Sequence, residues 1–197
     1  MTERPVMALI VDPVQGTGTR HVPRRGPTSF ADAGYCGRSF NEGVLRFHDA
    51  TTAPNFRDLC HEAFPELRRL DRKADVLAFD WSGKQYLTAK IAGSKDLTIL
   101  VADIGTGTLE TLATVAEFAV VLKMDNMRDF FNAEAYDQWR THVGHPDDGL
   151  AFTDCVEYTT PLWLGGEDDP TNMQLIDMDV SWTIGTQLLT QTRAAQL

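Results

Sequence analysis

Four stretches of the chain hold residue types that do chemistry in other proteins. His142 and His145, followed by Asp147 and Asp148, gather two imidazoles and two carboxylates, side chains able to ligate a divalent ion. An HxxH step puts both rings on one side of a helical turn. Gly144 and Pro146 interrupt a helix there, however, and no cysteine stands near to complete a tetrahedral set, so a capped helix end and a polar loop are predicted. Cys60-His61-Glu62 lines up thiol, imidazole and carboxylate, but consecutive helical residues point apart and form no triad. Asp103-Ile-Gly-Thr-Gly-Thr108 has the glycines of a phosphate cradle without the P-loop spacing or its lysine, which predicts a hairpin turn. Gly16-Thr-Gly-Thr-Arg20, with Arg24 and Arg25 beyond it, offers cations to an anion but reads as solvated loop. The chain has no nucleophile elbow, no HExxH and no GxGxxG after a strand. No catalytic residue, metal ligand or cofactor follows from the sequence, and a non-enzymatic protein is expected.

The elements that would position such residues are readable from periodicity. Residues 13–43 are dense in Gly and Pro and predict loop, arm or short edge strand. From Pro54 to Leu70, Phe56, Leu59, Cys60, Ala63, Phe64 and Leu67 recur at helical steps, with Pro65 predicting an end or kink near Ala63. Asp75–Trp81, Gln85–Ile91 and Leu97–Ala102 are β-rich runs joined by connections too short for crossover helices, hence an antiparallel meander. Thr114-Val-Ala-Glu117 is a capping-box pattern opening one helix. Phe130 to Trp139 marks a second, ending near Gly144. In the tail, Cys155–Thr159 and Met178–Ile184 alternate as strands would, and a short C-terminal helix through Leu188 and Leu189 follows. The fold class predicted is α+β: a single domain with a mainly antiparallel sheet against two or three helices and an irregular N-terminal arm.

Composition narrows the function. The chain has 197 residues, 43% apolar and 23% charged, with formal net charge −10, a soluble composition long enough to bury its own core. Residues 1–95 carry 14 basic and 11 acidic side chains, and residues 96–197 carry 4 and 17. Direct nucleic-acid binding through a basic surface is not expected from that balance, and a basic protein partner is the natural complement. The candidate contact residues are Asp147, Asp148, Asp154, Glu157, Glu167, Asp168, Asp169, Asp177 and Asp179, gathered around Phe152, Tyr158, Trp163 and Trp182. The aromatics are expected at the rim as anchors. Val6–Val11 is too short to span a bilayer and lacks the flanks of a secretory signal. Cys36, Cys60 and Cys155 are odd in number and widely spaced, as in a reduced, cytoplasmic protein.

Pro161-Leu-Trp-Leu164, Gly165-Gly166-Glu-Asp-Asp-Pro-Thr-Asn172, Asp177-Met-Asp-Val-Ser-Trp182 and Gly185-Thr-Gln187-Leu resemble blocks of the DUF1851 family. That family is the C-terminal domain of immunity proteins against type VI secretion DNase toxins. Ser39–Phe47, Ala63-Phe-Pro65 and the hairpin Phe79-Asp80-Trp81-Ser-Gly83-Lys-Gln85-Tyr86 extend the resemblance over residues 38–192. In that architecture a separate GAD-like domain precedes the module, whereas here residues 1–37 form only a Gly/Pro-rich arm, which sets the domain boundary at 38–197. The resemblance implies an immunity-type, toxin-binding role in bacteria and assigns no catalytic residue. Its markers Asp80, Trp81, Gly83, Gln85, Pro161, Leu164, Gly165, Gly166, Asn172, Trp182 and Gln187 read as mainly structural. Gly83, Gly165 and Gly166 suit turns needing positive φ, Asp80 and Asn172 bond turn amides, and Trp81 and Trp182 fill the core. Two other readings remain: a stand-alone interaction or regulatory module, and a small metal-dependent hydrolase using His142, His145 and Asp148.

Overall fold

The computed structural model describes residues 9–13, 16–145 and 147–195. In chain order, α1 (Ser29–Asp32) precedes β1 (Ser39–Phe40) and β2 (Leu45–Phe47), and α2 (Ala53–Ala63) and α3 (Leu67–Leu70) lead into β3 (Asp75–Asp80). β4 (Gln85–Ala89), β5 (Thr98–Asp103) and β6 (Thr108–Thr114) follow, then α4 (Val115–Val121), α5 (Met127–Phe130) and α6 (Ala133–His142). β7 (Asp154–Tyr158), 3-10 turns at Leu162–Leu164 and Pro170–Asn172, β8 (Met173–Asp177) and α7 (Met178–Ala195) complete the chain.

The main sheet has six strands in sequence order, every neighbouring pair antiparallel. Its middle follows from the apolar run Val76-Leu-Ala-Phe79 and the tight turn after it. Asp80 Oδ1 accepts the Ser82 amide at 2.9 Å and the Lys84 amide at 3.1 Å, and Gly83 takes φ 80°, which brings Gln85 opposite Phe79. Every residue of β3 and of β4 is buried, so both faces of the sheet must be covered. On one face Phe47, Leu77, Tyr86 and Ile99 pack with Phe118, Met127, Phe131 and Tyr136 of α4 to α6 and their connections. On the other, Val76, Phe79, Leu87 and Leu100 pack with Phe56, Cys60 and Phe64 near α2, and with Trp182 and Leu189 of α7.

The α+β class with an antiparallel sheet in one compact domain stands, and helices cover both faces of the sheet. α2 ends at Ala63 and α3 resumes past Pro65. The capping box forms as its spacing requires, with the Glu117 amide bonding Thr114 Oγ1 at 3.2 Å and the Thr114 amide bonding Glu117 Oε2 at 2.8 Å.

Several expectations need correction. β6 was not foreseen: Thr108-Leu-Glu-Thr-Leu-Ala-Thr114 is an exposed edge whose polar residues mask any strand signal. The second helix is two, broken at Asn132, which adopts φ 50°. A four-residue helix, α1, stands inside the Gly/Pro-rich stretch. The alternation Met178-Asp-Val-Ser-Trp-Thr-Ile184 is helical, and the strand lies just before it as β8. Two patterns coexist in that segment. Met178, Ser181, Trp182, Thr186 and Leu189, the buried set, recur at helical steps, and Asp177 Oδ1 caps the Asp179 amide at 2.9 Å and the Val180 amide at 3.1 Å. The cap and the burial of Trp182 outweigh the strand preference of Val180, Thr183 and Ile184.

Residues 16–37 run as a strap across the domain. Thr17 donates through its amide and hydroxyl to Asp49 Oδ2, at 2.9 and 2.6 Å, the Arg24 amide donates to Asp75 at 2.9 Å, and Phe30 and Cys36 are buried. Residues 1–8 of the expected arm lie outside the described residues.

Candidate functional site

The acid-rich third is built on the β7–β8 ribbon, and the ribbon is held by a buried cation. Arg46 of β2 is wholly buried and donates to the carbonyl oxygens of Asp80 (2.8 Å), Ala151 (3.0 Å), Phe152 (3.2 Å) and Asp154. Its guanidinium lies 4.6 Å from the centre of the Phe79 ring. Burial pulls its pKa from 12.5 down to about 10, against the attraction of Asp80 and Asp154, so it is cationic at neutral pH. The Val156 amide donates to Trp81 O at 2.9 Å, which docks β7 on the β3–β4 turn. Trp182 fixes the same turn from the opposite face through Nε1–H to Gly83 O at 2.8 Å.

The nine candidate acids divide by environment. Asp148 is exposed in the loop after α6, 3.1 Å from His145 Nδ1, and Asp147 is exposed beside it. Asp154 and Asp177 are cross-strand neighbours at one end of the ribbon. Asp179 follows at the start of α7 and accepts a bond from Asn55 Nδ2. Glu167, Asp168 and Asp169 are exposed in the loop between the 3-10 turns. Asp169 caps the second turn by accepting the Thr171 amide at 2.8 Å, and its bonds with Thr171, helped by nearby His142, hold its pKa below the ordinary carboxylate value. Asp168 accepts the Tyr158 hydroxyl at 2.6 Å. Glu157 is different: it faces α7, half-buried, and accepts the Ser181 hydroxyl. Burial raises its pKa, and its bonds with Ser181 and Gln174 only partly oppose the rise.

Beside the loop, Lys84 sits 3.4 Å from Asp103 Oδ2 in a cleft of about 170 Å³ also lined by Tyr158 and Asp168. Burial works against its charge, yet Asp80, Asp103 and Asp168 hold its pKa above the ordinary value. The local field there is therefore acidic enough to secure a half-buried ammonium.

Phe152 and Trp182 are not rim anchors, whereas Tyr158 and Trp163 are half-buried beside the acidic loop. Phe152 and Trp182 are buried in the core, and Trp163 donates Nε1–H to Ile104 O at 3.1 Å. Rings of this size complete the packing between sheet and α7, so burial claims them first. The apolar side chains exposed among the acids are aliphatic: Leu164 at 48%, Leu175 at 54%, Val180 at 46%.

The remaining markers serve the backbone. Asp80 Oδ2 also accepts the Tyr86 hydroxyl at 2.8 Å. Gln85 is buried, donating to Gly83 O at 3.1 Å while its Oε1 lies 2.7 Å from His48 Nε2; burial keeps His48 neutral, with its pKa lowered to about 3. Trp81 donates Nε1–H to Phe131 O at 2.7 Å. Pro161 O accepts the Leu164 and Gly166 amides, and Asn172 bonds Thr160 N, Thr160 O and Glu167 O, each at 2.9 Å. Gly165 takes φ 88°, but Gly166 does not need positive φ. Glycine is required there because a Cβ would come 1.9 Å from Thr160 O. Gln187 is exposed on α7.

The other chemical candidates are accounted for. The Cys60 thiol is buried, burial raises its pKa well above the ordinary value, and His61 Nε2 lies 3.0 Å from Ala74 O. Asp103 Oδ1 accepts the Gly105 and Thr106 amides in the turn between β5 and β6. Arg20 pairs with Asp32 and Arg25 with Asp71. Among the described residues no group of three or more His, Cys, Asp or Glu is placed to hold a metal ion, and no helix is long and apolar enough to cross a membrane. Sequence reasoning missed Arg46 and also Arg140, which is buried, bonded to Glu42 and Asp137, and stacked 4.5 Å from the Tyr136 ring centre.

No protein-family model and no curated protein matches the sequence. Among solved structures the chain is similar to the crystal structure of Atu4351 from Agrobacterium tumefaciens. The TM-score is 0.59 at 14% identity, over 83% of this chain and 76% of that one, a likeness of fold alone.

Proposed function

We propose that this chain is a non-catalytic, immunity-type protein of the bacterial cytoplasm that binds a cognate basic protein toxin through its acidic third and blocks the toxin's active site. One observation carries the reading. Asp148, Glu167, Asp168, Asp169, Asp177 and Asp179 are all exposed, and among the described residues only His145 is ion-paired with any of them. Carboxylates that, among the described residues, make no ion pair with Lys or Arg, on a chain of charge −10, project a negative field that steers and holds a basic surface. A toxin acting on nucleic acid must itself present a basic groove to phosphate, and an acidic surface can occupy that groove instead. The exposed aliphatic side chains beside the acids would contribute apolar burial.

The resemblance to the DUF1851 module of type VI DNase immunity proteins supports the same role. Co-expression with the protein encoded beside this gene tests it, scored for rescue of growth and for a complex on purification. Failure of both refutes the reading.

A further inference from the structure

We propose that the outer edge of β8 is a strand-addition site that takes an extended segment of a partner protein whose alternate residues run apolar, apolar, basic along one face. The inference deepens the binding reading and rests on it for the charge of the partner.

The edge is identified by the parity of the ribbon's ladder. Thr159 N donates to Asn172 O at 2.7 Å and Met178 N to Thr153 O at 2.8 Å, and the register between them is unbroken from Asp154↔Asp177 to Tyr158↔Met173. Hydrogen-bonded pairs alternate in an antiparallel ladder, so Gln174 and Ile176 face β7 while Leu175 and Asp177 turn their N–H and C=O outward. The far side of β7 is already engaged through Val156 N and Trp81 O. Natural edges are blunted by Lys, Pro or a bulge. Met173-Gln-Leu-Ile-Asp177 has no Lys or Pro and pairs without a register shift, and at its centre Leu175 is 54% exposed. β6, the last strand of the main sheet, instead carries Glu110 among threonines.

A receptor for alternate side chains lies beside this edge. Cross-strand partners share a face, so Leu175 and Met173 lie on the side of Val156, which packs in the same core as Tyr136 and Trp139 of α6. There a largely apolar groove of about 510 Å³ runs between Leu175 and Met173 on one wall and Trp139 and Val143 on the other. Val143 is 40% exposed, and Trp139, 6% exposed, has an indole N–H without an acceptor among the described residues. Asp148 lines the groove, and Asp177 is the next outward-facing residue after Leu175. A strand added here gains backbone bonds along Leu175 and turns every second side chain to the groove face, with apolar ones opposite Met173 and Leu175 and a basic one opposite Asp177.

The test uses the full chain and a fluorescein-labelled peptide whose alternate residues are valine, leucine and lysine, with threonine between them. A second peptide of the same sequence is N-methylated at alternate residues, which removes one edge of donors and leaves the charge. Anisotropy should show binding of the first peptide, weakened about tenfold or more by N-methylation and by Leu175→Pro, the scale of one or two lost backbone hydrogen bonds. No binding, or equal binding of both peptides, overturns the proposal. Should Leu175→Pro fail to fold, the peptide pair decides alone. Asp148→Lys with Glu167→Lys separates the two ideas. If those changes abolish binding while N-methylation has no effect, the edge proposal falls and the acidic-surface reading stands. If the peptides differ as expected but the neighbouring toxin forms no complex, the immunity reading falls and the edge stands.

Discussion

Arg46→Met removes the cation on which β7 rests while keeping an apolar stem in its place. The loss is the guanidinium's bonds to the carbonyls of Asp80, Ala151, Phe152 and Asp154; the last three share the two hydrogens of Nη1, so they amount to about three bonds of about 1.5–3 kcal/mol each. Against it stands the relief of a buried charge. A pKa drawn from 12.5 to about 10 corresponds to about 3 kcal/mol disfavouring the cation. The bonds outweigh the relief, and the carbonyls left behind lose their donor, at a cost of about 1–3 kcal/mol for each that stays buried and unpaired. A loss of about 4 kcal/mol is therefore expected, and a melting temperature lower by about 8–16 °C for a chain of this size. Urea denaturation followed by tryptophan fluorescence and circular dichroism measures it. Arg46→Lys keeps the charge but not the fork of donors and should fall between the two. A methionine variant within 1 kcal/mol of the parent would refute the reasoning, because it would mean that β7 is held by packing alone.

Other expectations are local. Gly166→Ala forces a Cβ toward Thr160 O and should cost about 1–3 kcal/mol, with faster amide hydrogen exchange from Thr160 to Asn172 as its readout. Thr114→Ala removes the capping box of α4 and should cost about 1 kcal/mol by denaturant titration. Asp49 accepts bonds from Thr17, Thr51 and Thr52, which outweigh its burial and lower its pKa. The native state therefore binds this proton less readily than the unfolded chain. The stabilisation is complete above the ordinary carboxylate pKa and disappears as pH falls through the lowered value. Asp49→Asn should be less stable than the parent at pH 7 and the gap should narrow below pH 4; a constant gap would show that charge plays no part.

The middle of the sheet was legible because its strands are apolar runs closed by turn residues. Asp80 and Gly83 mark the β3–β4 turn by chemistry that needs no tertiary context. Helix ends at Pro65 and Thr114 were legible for the same reason. What escaped reading depended on distant partners. Arg46 looks like any basic residue until its acceptors, more than 100 positions away for Ala151, fold onto it. α7 carries a period-2 and a helical pattern at once, and only the pocket for Trp182 chooses between them. At the candidate site the acidic surplus was visible by counting. That Glu157 faces α7 was not, because a strand turns alternate residues to opposite faces and only the packing of α7 decides which face is covered. Phe152 and Trp182 misled for a related reason: large rings between the sheet and α7 are claimed by the core before a partner can use them.

The central claim, that the acidic third is a binding surface for a basic protein, is tested most directly by titrating the purified chain with the protein encoded beside its gene. Calorimetry at several salt concentrations is the measurement, on the parent and on a variant carrying Asp148→Lys, Glu167→Lys and Asp168→Lys. The account predicts a complex whose affinity falls as salt rises and is lost in the charge-reversed variant. Absence of a complex, or a complex indifferent to both salt and charge reversal, contradicts it.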